Sequence, residues 1–163
     1  MPSPLVVLLR NHQAGGRAAI DLYDRALSGQ RARPYAARLR TLRDEAREDL
    51  DFNESVMRRL GVAASPVQVV GTRITERVGR FKPNGRLVRR SPLSDVVELE
   101  GLIAAVHVKL AGWQAAQVGE FLTAAESARL TGLEARARTQ AERLSRMHAE
   151  AAADVLGGAQ PRG

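Results

Sequence analysis

Three histidines, His12, His107 and His148, and a concentration of carboxylates between positions 44 and 54 are the side chains with which this 163-residue chain could do chemistry. No cysteine is present, which excludes thiolate zinc sites, disulfide frameworks and cysteine nucleophiles. On helices that start and stop together, Asp49 comes level with His107, with Glu45 and Glu100 nearby, and these four are the candidates for a metal site. His12 comes level with Asn53, while His148 comes near Tyr23 and Glu100, a grouping that suits acid-base work. Ligand count decides between these readings. Two protein ligands hold a divalent ion weakly, so His12 with Asn53 and Asp49 with His107 read as buried polar pairs that fix which helix packs against which. Glu100 and His148 fall at the edges of their apolar stripes, where solvated pairing prevails. No metal, cofactor or catalytic residue is expected.

The elements that must position these residues are helices. Ser3 and Pro4 give a cap and first position, Pro34 opens a second segment that Gly61 closes, Ser91 and Pro92 repeat the first signal, and Thr123 with Glu126 forms a capping box. The spacing predicts helices over about 4–28, 35–60, 92–118 and 124–156, with Gly29 closing the first and a second box, Thr131 to Glu134, leaving open a break in the fourth. Each carries one apolar stripe at alternating three- and four-residue intervals: Leu8, His12, Ala19 and Tyr23 in the first, Leu42, Ala46, Asn53 and Met57 in the second, Leu99, Ile103, Val106 and Leu110 in the third, Leu133, Ala137 and Leu144 in the fourth. One stripe per helix closes one core, an all-α bundle in a single domain of residues 1–158, with 159–163 as a disordered tail. Residues 61–91 are too many for a bundle turn. Ser65 and Pro66 open a short helix of about 66–80 there, with a hairpin about Asn84 and Gly85 as the alternative, and the segment can run back along a helix about 37 Å long. That permits a crossover which leaves helices two and three parallel.

Two helical hairpins joined by one long crossover resemble the ferritin-like superfamily. The stretches 8–27, 86–109 and 142–156 are similar to small ferritin-like proteins of high-GC bacteria, most specifically through the phrase from Lys82 to Ser94 followed by Val97-Glu98-Leu99-Glu100. A bacterial source also fits the use of 23 arginines against only Lys82 and Lys109. The resemblance implies two metal ions held by carboxylates of four helices and two Glu-x-x-His pairs. Here Leu9, Ala104 and Ser145 stand three residues before the histidines, and Gly15-Gly16 stands where the first helix should offer an inward glutamate. Ferroxidase, oxidase and hydroxylase activities are therefore not expected. Gly15-Gly16 follows no strand, so it reads as a close helix crossing rather than a phosphate loop.

The net charge of +7 is uneven, because residues 61–92 carry seven basic groups against Glu76 alone. Arg73, Arg77, Arg80, Lys82, Arg86, Arg89 and Arg90 form a possible anion-binding set, which would make nucleic-acid binding strongly salt-dependent. Only Phe81 could stack on a base there, so pairing with bundle carboxylates is preferred. By contrast, the acids Asp44, Glu45, Glu48, Asp49, Asp51 and Glu54 are interleaved with arginines around the second helix and read as a solvated face. The apolar run Leu5 to Leu9 is too short for a signal-peptide core and no stretch reaches membrane-spanning length, so a cytoplasmic protein without membrane insertion is expected. The expected function is a non-catalytic interaction or assembly protein, homodimeric through helices one and two. The alternatives are a degenerate metal binder or a nucleic-acid binder, and the pattern names no small-molecule ligand.

Overall fold

The computed structural model describes residues 3–64, 90–91 and 93–157. They form four helices, α1 (Pro4–Gln30), α2 (Ala36–Arg59), α3 (Leu93–Gln117) and α4 (Ala124–Leu156), with no strand among the described residues. None of these helices is long and apolar enough to cross a membrane. The expected short helix over 66–80 and the tail lie outside the described residues.

Local chemistry sets the ends. The Ser3 hydroxyl accepts a hydrogen bond from the Val6 amide at 3.3 Å, with Pro4 at the first position. At the end of α2, Gly61 takes φ +66°, its amide donates to the Arg58 carbonyl at 3.1 Å, and the Val62 amide donates to the Met57 carbonyl at 2.9 Å. That is a Schellman closure, and it needs glycine at the left-handed position. Thr123 and Glu126 exchange hydrogen bonds as a capping box, and α4 then runs unbroken through Thr131 and Glu134. Gly29 does not close α1. It lies in the last turn, where the Arg90 side chain occupies the space a Cβ would need.

The helices form a ring in which α1 packs on α2 and α3, and α4 packs on α3 and α2. Every neighbouring pair is antiparallel. Asn53 reaches the Leu9 carbonyl while Arg43 reaches Asp24, and Gln30 meets Glu98 while His12 lies against Gly112. Arg38 pairs with Glu150 while Arg59 pairs with Glu126, and His148 meets Glu100 while Gln117 meets Thr131. Helices α2 and α3 therefore point the same way across one diagonal, so the chain leaves α2 and enters α3 at opposite ends of the bundle. Leu39, Leu42, Leu99, Leu102, Leu144 and Met147 fill the interior, each worth about 1.5 to 3 kcal/mol when fully withdrawn from water.

Two stripes match their expected phase only in part. In α1 Tyr23 and Ala26 are buried as expected, whereas Leu9 and Gln13 are buried and Leu8 and His12 only half-buried. In α3 Val96, Leu99, Val106 and Trp113 are buried as expected, Leu102 joins them, and Ile103 and Leu110 are only half-buried. The run Leu102-Ile103-Ala104-Ala105-Val106 is apolar at every position, so hydrophobicity alone favours no side of that helix.

Candidate functional site

At mid-height of the bundle, Asp49 projects inward from α2, and its side chain is only 3% exposed. A carboxylate so placed needs partners, and three converge on it. Lys109 of α3 and Arg136 of α4 both donate to it as ion pairs, and the Gln140 amide donates from 3.4 Å. Lys109 also donates to the Gln140 carbonyl oxygen at 2.6 Å, and Gln140 donates onward to Glu45 at 3.0 Å. Arg143 closes on Glu45 at 2.9 Å and Arg136 on Glu48 at 2.7 Å. Three carboxylates thus face three cations across α2, α3 and α4. Burial pulls the Lys109 ammonium below the ordinary lysine range against the opposing attraction of Asp49. Burial also opposes the Arg136 charge, but hydrogen bonds to Asp49 and Glu48 outweigh it and hold the guanidinium above its usual value. The Arg136 Nε is buried with no partner among the described residues.

Against this network lies a cavity of about 290 Å³ between α1, α2 and α3. Gly15, Gly16, Ala19, Val106 and Trp113 give it an apolar wall, while His12, Tyr23, Asp49, Asn53 and Lys109 give it polar corners. Gly16 brings α1 onto Leu50, with room for a Cβ only 3.0 Å from that side chain, whereas a Cβ at Gly15 would meet nothing within 4 Å. The Lys109 ammonium also lies 5.1 Å from the Trp113 ring centre, within cation-π range. Burial holds the His12 imidazole below its ordinary value, and its ring sits on Gly112, which leaves no space there for a side chain. Tyr23 is 2% exposed and makes no side-chain hydrogen bond among the described residues. Burial first, and then the charges of Glu45 and Asp49, push its hydroxyl far above the usual phenol range, so it stays protonated.

A second polar cluster seals one end of the bundle. Gln30, 1% exposed, donates to Glu98 at 2.9 Å and to the Asp95 carbonyl at 3.3 Å, and accepts from the Tyr35 hydroxyl at 2.8 Å. Arg33 bridges Asp95 and Asp154, and Arg90 reaches Asp95 at 2.8 Å and Glu98 at 2.6 Å across Gly29. Burial, then the charge of Asp95, pushes the Tyr35 hydroxyl up to about 12.

The expected pairing of Asp49 with His107 is not formed. His107 is exposed, and Lys109 takes the inward place two residues on. Glu45 shares Gln140 with Asp49, whereas Glu100 is exposed and meets His148 Nε2 at 3.1 Å, away from Asp49. Tyr23 belongs to the cavity and is not bonded to that pair. His12 and Asn53 line the same cavity without bonding each other; Asn53 instead donates to the Leu9 carbonyl at 3.4 Å. No group of three His, Asp or Glu side chains able to hold a metal occurs among the described residues. Of the seven basic residues considered for anions, Arg90 is engaged by Asp95 and Glu98; Arg73, Arg77, Arg80, Lys82, Arg86 and Arg89 lie outside the described residues.

Sequence reasoning missed Lys109, Arg136, Gln140 and the Gln30 cluster. Lys109 carried a signal: it stands three residues after Val106 and four before Trp113, in phase with both. No family model, curated protein or solved structure matches this chain.

Proposed function

We propose that the chain is a ferritin-like bundle, with a crossover between α2 and α3, in which a charge network stands where such bundles hold metal, and that it serves as a non-catalytic interaction or assembly protein acting as a homodimer. The observation that carries this reading is the occupancy of Asp49. Its carboxylate already neutralises Lys109 and Arg136, and a divalent ion there would have to displace one cation and bury beside the other. The remaining carboxylates are similarly engaged, Glu45 by Arg143 and Glu48 by Arg136, so the donor set does not fit a di-metal centre. The arrangement of α2 and α3, parallel and entered from opposite ends, supports the crossover. Exposed Val7 on α1 offers part of an apolar face for self-association.

Elemental analysis of protein purified without chelator, followed by titration with iron and manganese, tests the reading. The expected result is far less than one ion per chain before and after titration. An ion bound by Asp49 and two further side chains would end it. Light scattering at twice the 17.7 kDa chain mass is expected for the assembly, and a monomer at all concentrations would remove that part.

A further inference from the structure

We infer that the cavity between α1, α2 and α3 is a binding site for a small uncharged ring compound bearing one hydrogen-bonding oxygen, with Tyr23 donating to that oxygen. Three observations converge on this. The first is space: an apolar cavity of about 150 Å³ takes benzene, and this one, at about 290 Å³, has room for two fused rings. Its glycine wall is flat, since Gly15 presents nothing within 4 Å of where a side chain would begin. The second is a polar group at the cavity wall. Tyr23 is almost wholly buried and lines the cavity, and its hydroxyl makes no hydrogen bond to another described residue. A ligand oxygen would give that hydroxyl a partner within the protein. The third is charge. Asp49, Glu45 and Glu48 are matched by Lys109, Arg136 and Arg143, and the half-buried His12 is held toward its neutral form. A charged ligand would add an unpaired charge to this low-dielectric corner, and an uncharged one would not. Access is from the side of Asn11 and Val108, both exposed at the rim, toward Tyr23 and Asp49 at the buried end.

This inference goes beyond the metal-free reading: a bundle that takes neither metal nor ring compound would leave that reading intact and remove this one. The test is calorimetric titration of the full chain with 2-naphthol, against 2-naphthoate as a probe of similar body and negative charge. Naphthol is expected to bind with a sub-millimolar Kd and naphthoate at least about tenfold more weakly. Tyr23→Phe should weaken naphthol binding roughly five- to tenfold while leaving the melting temperature unchanged, because no hydrogen bond among the described residues is lost. Gly15→Leu, which fills the cavity, should abolish binding with the far-UV helix signal retained. Absence of naphthol binding to the wild type, equal binding of naphthoate, or wild-type affinity in Tyr23→Phe would each overturn the inference. The Tyr23→Phe result stands alone should Gly15→Leu fail to fold.

Discussion

The two polar clusters are built from the same parts and finished differently. At the bundle end, Gln30 has both ends of its amide satisfied, Tyr35 spends its hydroxyl on that amide, and the arginines reach in from the surface, Arg33 28% and Arg90 35% exposed. At mid-height, Asp49 is more deeply enclosed, Lys109 and Arg136 are partly buried with it, the Arg136 Nε has no partner among the described residues, and Tyr23 lines a cavity. A sealed cluster specifies structure; an unsealed one next to empty space keeps hydrogen-bonding capacity in reserve. That difference directs attention to the middle of the molecule for function and to its end for architecture.

The largest expected effect separates the clusters by depth. Asp49→Ala leaves Lys109 without its ion-pair partner and Arg136 with Glu48 alone, and should lower stability by about 3 to 5 kcal/mol, read from urea unfolding. Gln30→Leu, which strands the Tyr35 hydroxyl but leaves both carboxylates with their arginines, should cost less, about 1 to 3 kcal/mol. Equal losses would erase the distinction between the two regions. A smaller effect concerns pH. His12 has a folded-state pKa below its unfolded value of 6.5, so on acidification the unfolded chain takes up its proton first. The contribution is absent above that value, and stability should fall as pH drops from 6.5 toward the folded pKa. A His12→Gln variant should show a shallower decline over that window, and parallel curves would place His12 outside the buried corner. The smallest effect is at the wall: Gly15→Ala should stabilise α1 by about 0.5 to 1 kcal/mol because its Cβ enters open space. Gly16→Ala should gain less, since its Cβ presses on Leu50.

The four helices were legible because their ends carry chemistry that acts locally: Ser3 with Pro4, Gly61, and Thr123 with Glu126 each do in the structure what their types imply. Asp49 was legible as a polar residue on an inward line. Its partners were not, because choosing the buried side of α3 meant preferring a charged residue over apolar Ile103 and Leu110, and only the opposing carboxylate explains why Lys109 belongs inside. Gln30 was illegible for a related reason. It sits beyond Gly29, which reads as a helix stop, and the glycine is needed instead for the Arg90 side chain contributed from far along the chain. Cavities leave no trace in a pattern of residue types, since they record how three helix surfaces fail to meet.

The separation of Asp49 from its counter-charges has a bearing on the order of assembly. Lys109 lies 60 residues further along and Arg136 lies 87. A hairpin of α1 and α2 alone would hold that carboxylate against an apolar face with neither cation opposite it, so the first half of the chain has little reason to settle before the second is made. The network thus ties completion of the native state to synthesis of α4, and a chain interrupted before Arg136 should be open to proteolysis rather than partly folded.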